Sequence, residues 1–380
     1  MDLMQMSDSL PDNYEKSTST PPELGLVCIT TSDKVRYRAL TRKRLLQLPT
    51  AEQEQVLREL YTDNLQRLNA AIDFCKENNI RLYRIPSGLF PFADTEQGEA
   101  ILDEFKEQIK ATGDRVRLSG IRLVVHPDQF VVLSSDTPSV IENSIKILRM
   151  HARNMDLLGM PRSPWAMMEI HGGKGDRAER LINVIRDLPD EIRSRLALEN
   201  DEYAYSAAEI LAVCREADVP MVFDAHHHVI HEKLDTYEDA SIAEILAAAR
   251  TTWPVPEWQL VHISNGREEF GDPHHSDFIT AMPSSYRDAP WIEVEAKLKE
   301  DAIAKLREIW PPVFGTAPAP KPPEDKPIDE TPQKTKQKKR SLKKVEQSEE
   351  QPQKTKQKKQ PAKKVAKNNS EVLSTNLSGE

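Results

Sequence analysis

A (β/α)8 TIM barrel of the α/β class is the fold this sequence predicts, on three observations. Eight apolar runs of roughly four to seven residues recur between positions 24 and 310. Longer amphipathic segments at helical spacing separate them. No run leads into a GxGxxG or Walker A loop, which would favour a doubly wound open sheet instead. Runs that are apolar at nearly every position are strands buried on both faces, as in a parallel sheet covered by helices, and eight such units fit a closed barrel.

In order, the runs are LGLVCIT (24–30), RLYRIP (81–86), IRLVVH (121–126), WAMMEIH (165–171), RLALEN (195–200), MVFDAH (221–226), WQLVHIS (258–264) and PWIEVEA (290–296). Amphipathic segments lie between them, at 51–78, 138–159, 175–188 and 206–218 among others; Thr50 and Gln53 stand at capping-box spacing before the first. Nothing in the composition breaks this alternation, so one domain is expected over 23–314. The flanks differ. Residues 1–22 are polar and acidic, and 315–380 are rich in Lys, Gln and Pro, with PQKTKQKK at 332 and again at 352. Neither flank offers enough apolar surface to offset chain entropy, which predicts disorder in both.

Composition narrows the function. A chain of 380 residues can bury a sizeable core. Cys28, Cys75 and Cys214 lie far apart, which argues against a disulfide framework or a cysteine zinc site and suits a reducing compartment. The N-terminus has no basic n-region or apolar h-region, and no apolar run approaches the roughly 18 residues of a membrane span. A soluble, cytoplasmic protein with no membrane partner is expected. From Lys321 onward there are 16 Lys and Arg against 9 Asp and Glu, leaving 36 basic and 52 acidic residues before it. The basic tail suits either nonspecific contact with polyanions or simple solubility. The acidic body argues against nucleic acid unless bound cations neutralise its carboxylates.

The strand ends supply such carboxylates. The third run closes on His126, the fourth on Glu169 and His171, and the fifth on Glu199. The sixth closes on Asp224, followed by His226, His227, His228 and His231; the seventh closes on His262 and the eighth on Glu293 and Glu295. In a parallel barrel all these ends meet at one mouth, where active sites sit. Carboxylates crowded there repel one another and lose hydration unless cations compensate. A His/carboxylate set without thiolates suits Mn, Zn or Fe, so a multinuclear metal site is expected. Strand alternation turns Asp224 inward, and His227, three places on, can turn back over the mouth. His226, His228 and His231 stay open as outer partners, substrate contacts or loop residues. His274 and His275 are expected at the start of a further helix, and His151 as a structural residue inside its own.

Taken in order, LGLVCIT, YRIPSGLFP, VVHPDQF, MEIHGGKGD, LALEND, FDAHHH, HSDFI and EAKLKE resemble the UV damage endonucleases, DNA repair barrels related in architecture to endonuclease IV. The resemblance spans about 24–310. It implies that His126, His171 and Glu199 hold one metal. Glu199, Asp224, His262 and Glu295 would hold a second and form the catalytic set, with Glu199 bridging, and His227 and His275 would hold a third. Up to three Mn²⁺ are implied, with Zn²⁺ or Fe²⁺ also compatible. The implied reaction is hydrolysis of the phosphodiester immediately 5′ to cyclobutane dimers and 6-4 photoproducts in damaged double-stranded DNA. The enzyme is expected to be a monomer, nucleoid-associated if bacterial.

In the same family a glutamine and a tyrosine after the first ligand histidine probe the damaged helix; here Gln129 and Phe130 stand there, so the stacking face is kept and the hydroxyl lost. Backbone contacts are expected from Ser87, from Lys174 at a helix start, and from the basic stretch holding Arg36, Arg38, Arg42, Lys43 and Arg44. Two positions depart from the family. Leu260 replaces a lysine that, when carboxylated, adds a metal ligand, and Leu26 stands near where some relatives use an aromatic DNA contact. The alternatives are nicking at abasic sites, a metal-dependent sugar isomerase on the same barrel, and a non-catalytic DNA-binding protein acting through its tail.

Overall fold

The computed structural model describes residues 21–128 and 130–310. Eight parallel strands close on themselves in sequence order, β1 (Glu23–Val27), β2 (Leu82–Ile85), β3 (Arg122–Val125), β4 (Met168–His171), β5 (Leu196–Glu199), β6 (Met221–Asp224), β7 (Leu260–Ile263) and β8 (Trp291–Val294). Seven fall inside the apolar runs, and β1 begins one residue before its run, at Glu23. Closure is made by β1 and β8, with Leu24 opposite Ile292. The helices are α1 (Arg42–Leu45), α2 (Thr50–Glu77), α3 (Glu96–Asp103), α4 (Lys106–Leu118), α5 (Pro138–Leu157), α6 (Ala178–Asp187), α7 (Asp190–Arg193), α8 (Ala207–Ala217), α9 (Ala225–Glu232), α10 (Ala240–Arg250) and α11 (Lys299–Ile309). None of the described helices is long and apolar enough to cross a membrane.

The two ends of the barrel are built differently. At the N-terminal end, Arg122 of β3 is buried beside the rings of Trp165, Trp253 and Trp291, and it donates to the carbonyls of Trp165, Trp258 and Pro164. This plug satisfies a buried cation with carbonyls and π faces, and it serves stability. The other end carries the histidines and carboxylates.

Local sequence explains the positions that matter, with some corrections. Thr50 does not cap α2: Pro49 occupies that place, Thr50 is already helical, and the Gln53 side chain donates to the Leu48 carbonyl. A full capping box exists instead at Ser206 and Glu209, opening α8. The histidine run is not a loop, because α9 begins directly after β6 and Asp224 caps it. His274 and His275 lie in an extended loop, where His275 bridges Gly266, and no helix starts there. Lys174 stands in a turn before α6, which begins only at Ala178. That turn needs its glycines: a Cβ at Gly172 would sit 2.5 Å from the Tyr205 ring, and Gly173 has φ +82. Apart from Pro21 and Pro22, the flanks expected to be disordered, 1–22 and 315–380, lie outside the described residues, as does Gln129.

Candidate metal centre

Glu199, the last residue of β5, is buried at the middle of the mouth. Its two oxygens face different partners. Oε2 lies 3.5 Å from His126 Nε2 and 3.7 Å from His171 Nε2, and it has no hydrogen-bond partner among the described residues. Oε1 lies 3.0 Å from His262 Nδ1 and 3.3 Å from His227 Nδ1. A buried carboxylate aimed both ways, with one oxygen unsatisfied, has the form of a bridging metal ligand.

Each side has further donors. His126 Nδ1 stands 2.8 Å from the Pro127 carbonyl, an arrangement that puts the proton on Nδ1 and leaves Nε2 as the ligand atom. On the other side, donor atoms of Asp224, His262 and Glu295 all lie within 4.8 Å of one another, as do those of Glu199, Asp224 and His227. Asp224 divides its work: Oδ1 accepts from the backbone N–H groups of His226 and His227, while Oδ2 is buried with no partner among the described residues. Asn200 clamps the same strand end, accepting from Asp224 N at 3.0 Å and donating to its carbonyl at 2.9 Å. Bare, buried oxygens facing imidazoles are what divalent cations would satisfy, so the donor set fits such ions.

Each of the two histidines expected at a third ion has a carboxylate beside it. His227 falls with Glu199 and Asp224, whereas His275 Nε2 stands 3.9 Å from Glu295 Oε2. Among the described residues no set of three or more donors contains both histidines. The remaining histidines turn away. His226 spends its ring nitrogens on the Asp272 carbonyl and the Tyr237 hydroxyl, and His228 contacts Ser241. His231 is farther along α9, and His151 is buried within α5, where burial lowers its pKa to about 4.

Beneath this layer lies a second one, in which sequence reasoning found the carboxylates but missed Arg84. Arg84 of β2 reaches Glu169 at 3.2 Å, Glu293 at 2.8 Å and Glu295 at 2.5 Å. His262 Nε2 faces the same pair, 3.2 Å from both Glu169 and Glu293. Glu169, His262 and Glu293 have their own metal-like spacing, but Arg84 already supplies the cation there. Leu260, two residues below His262, is fully buried and brings no ligand atom, and Leu26 is likewise buried.

Burial alone would push all these groups toward their neutral forms, and mutual attraction reverses that for most of them. For Glu199 the desolvation is outweighed by His262, His171, His126 and His227, which hold its carboxyl well below the usual range. For His262 the same burial is outweighed by Glu199, Glu169 and Glu295, which raise it well above an ordinary imidazole. Glu293 goes the other way, pushed up chiefly by burial. His171, by contrast, is pushed down by burial, toward the neutral form that ligation needs.

The expected DNA contacts are distributed around the rim. Phe130 is 68% exposed after β3. Ser87 donates to Asp128 at 2.5 Å, strapping the β2 loop to the loop that carries Phe130. Lys174 is engaged by Asp136, which also holds Arg177 and Arg180, so three cations share one carboxylate. Arg36 and Arg38 pair with Asp33 and Asp63, whereas Arg42, Lys43 and Arg44 are exposed, without ion-pair partners among the described residues.

Comparison by sequence with known proteins converges on one family. The family model described as "UV-endonuclease UvdE" matches residues 22–311. A UV DNA damage endonuclease of Nostoc sp. (strain PCC 7120) is 57% identical over 312 residues, covering 82% of this chain and 97% of the relative. One from Deinococcus radiodurans is 50% identical over 293 residues, covering 76% and 96%. The crystal structure of SacUVDE shares the fold, with TM-score 0.62 at 24% identity over 76% of this chain and 98% of that one. A match of this extent, on a barrel whose mouth carries this donor set, makes the chain a member of the UV-endonuclease UvdE family.

Proposed function

We propose that this chain is a metal-dependent UV damage endonuclease, which hydrolyses the phosphodiester immediately 5′ to a photoproduct in double-stranded DNA and leaves a 3′-hydroxyl. The observation that carries this reading is Glu199, buried at the mouth with histidines on both of its oxygens, in a chain half or more identical to proteins named UV DNA damage endonucleases. His126, His171 and Glu199 would hold one cation, Glu199, Asp224, His262 and Glu295 a second, and His227 with His275 contribute to a third. When bound, such ions, Mn²⁺ by preference, would activate the attacking water and offset charge on the departing oxygen.

The chain's own residues do the rest. Glu199 and Asp224 are ligands, and no separate general base is assigned. Phe130, with Gln129 beside it, would fill the gap where damaged bases leave the stack, so any lesion that weakens stacking is a substrate. Arg42 and the Lys174 turn would meet phosphates, supported by the two net positive charges left around Asp136 once its own charge is subtracted. Ser87 would act by holding the wedge loop. The enzyme would act as a monomer in the cytoplasm, at the nucleoid in a bacterium. Nicking at abasic sites is compatible with the same centre, because a missing base also weakens the stack. A sugar isomerase would have no use for an apolar ring exposed at its mouth.

The test uses purified protein, Mn²⁺, and a duplex carrying one cyclobutane thymine dimer. The expected product is a single nick at the dimer's 5′ side, absent from undamaged duplex and from the Glu199→Gln variant. Truncation after residue 314 should leave nicking intact, separating catalysis at the mouth from binding through the tail. Equal cleavage of undamaged DNA, or none with Mn²⁺, Zn²⁺ or Fe²⁺, would overturn the reading.

A further inference from the structure

Among the described residues, the large exposed apolar side chains include three aromatics, Phe130, Tyr203 and Phe270. All three lie on loops that leave the mouth end of the barrel, after β3, β5 and β7. Phe270 is partly anchored, its ring 4.9 Å from that of Tyr237. Tyr203 is the most exposed of them at 71%. It stands four residues beyond Glu199, as Phe130 stands four beyond His126.

The Tyr203 backbone is held by hydrogen bonds, whereas its ring is exposed. Asp201 is buried and accepts from the backbone N–H groups of Tyr203, Ala204 and Tyr205, fixing the turn. The next residue, Glu202, comes within 3.8 Å of His227, which puts the loop beside the metal centre. A tyrosine with few rotatable bonds on a fixed turn loses little entropy on contact. Asp201 and Glu202 repel phosphates, so the surface here favours a neutral planar face over the DNA backbone. We propose that Tyr203 is a second stacking platform, in addition to Phe130, which binds an unstacked nucleobase or the exposed face of a base pair next to the lesion. The inference rests on the nuclease reading above and names a binding residue that reading does not include.

Binding is measured in EDTA with the full chain and a dimer-containing duplex, so the result stands whether or not nicking occurs. Tyr203→Ala should raise Kd roughly tenfold or more, the range of one lost base–aromatic stack. Tyr203→Phe should bind as wild type, because the ring face is kept. In Mn²⁺, Tyr203→Ala should raise KM while kcat and bound metal stay as in wild type. An unchanged Kd for Tyr203→Ala overturns the inference, as does a Phe variant as weak as Ala, or a loss confined to kcat and metal content. Wild type that binds the dimer duplex through Tyr203 but does not nick it would sink the nuclease reading alone. Wild type that nicks normally, with Tyr203→Ala equal to it, would sink only this inference.

Discussion

Arg84 decides whether the mouth can exist without metal. Its guanidinium is the one non-histidine cation touching Glu169, Glu293 and Glu295 among the described residues, and these three attract it strongly enough to overcome its burial and raise its pKa well above the ordinary value. Removing one partner of a buried ionic cluster leaves the others uncompensated, at a cost of about 3–5 kcal/mol. Arg84→Met is therefore expected to lose about that much stability in EDTA, read by chemical denaturation, and to recover part of it in Mn²⁺. A loss below about 1 kcal/mol would show that the carboxylates do not depend on it. The sequence concealed this residue for a physical reason. In a strand buried on both faces, polarity does not alternate, so RLYRIP gives no sign of which side chain faces the barrel axis. Asn200 was hidden differently: a clamp on the Asp224 backbone is a tertiary contact between two strand ends.

At the scale of elements, all eight strands were legible, because short runs of Val, Leu, Ile and Met between helical segments leave few alternatives. The strand ends that meet at the mouth were legible for the same reason: His126, His171, Glu199, Asp224, His262 and Glu295 each stand at or near the end of such a run. What followed the strands was less so. In α9 the histidines hide the helical pattern, and the absence of any linker after β6 let the strand seem to continue. The helix expected at His274 and His275 was a loop instead, one whose path nothing local determines. The strands also carry a testable pH signature far from the mouth. Glu23, at the start of β1, has its pKa pushed up to about 7 by burial, against the pull of Arg81 and Arg307. Between the ordinary value of 4.5 and about 7 the folded chain holds a proton that the unfolded chain has lost, so stability falls as pH rises through that window. Glu23→Gln should remove this slope and gain on the order of 2 kcal/mol at pH 8, read from denaturation curves across pH. Parallel curves for the two proteins would contradict it.

Over the whole molecule, charge and topology describe the same design. Residues before Lys321 carry 52 acidic against 36 basic groups, an unfavourable balance for a protein that meets DNA. The barrel gathers Glu169, Glu199, Asp224, Glu293 and Glu295 at one end and buries them, where histidines and Arg84 absorb their charge and the donor set fits divalent cations. The rim is left with exposed Arg42, Lys43 and Arg44 and with aromatic side chains, groups that can meet a nucleic acid. In the proposed centre, six strand ends share ions through one carboxylate, Glu199. Anomalous diffraction at the manganese edge from Mn²⁺-soaked crystals tests this most directly. The expected result is two peaks within bonding distance of Glu199, one beside His126 and His171 and one beside Asp224, His262 and Glu295. Peaks elsewhere, or a mouth with no peak at saturating Mn²⁺, would contradict it.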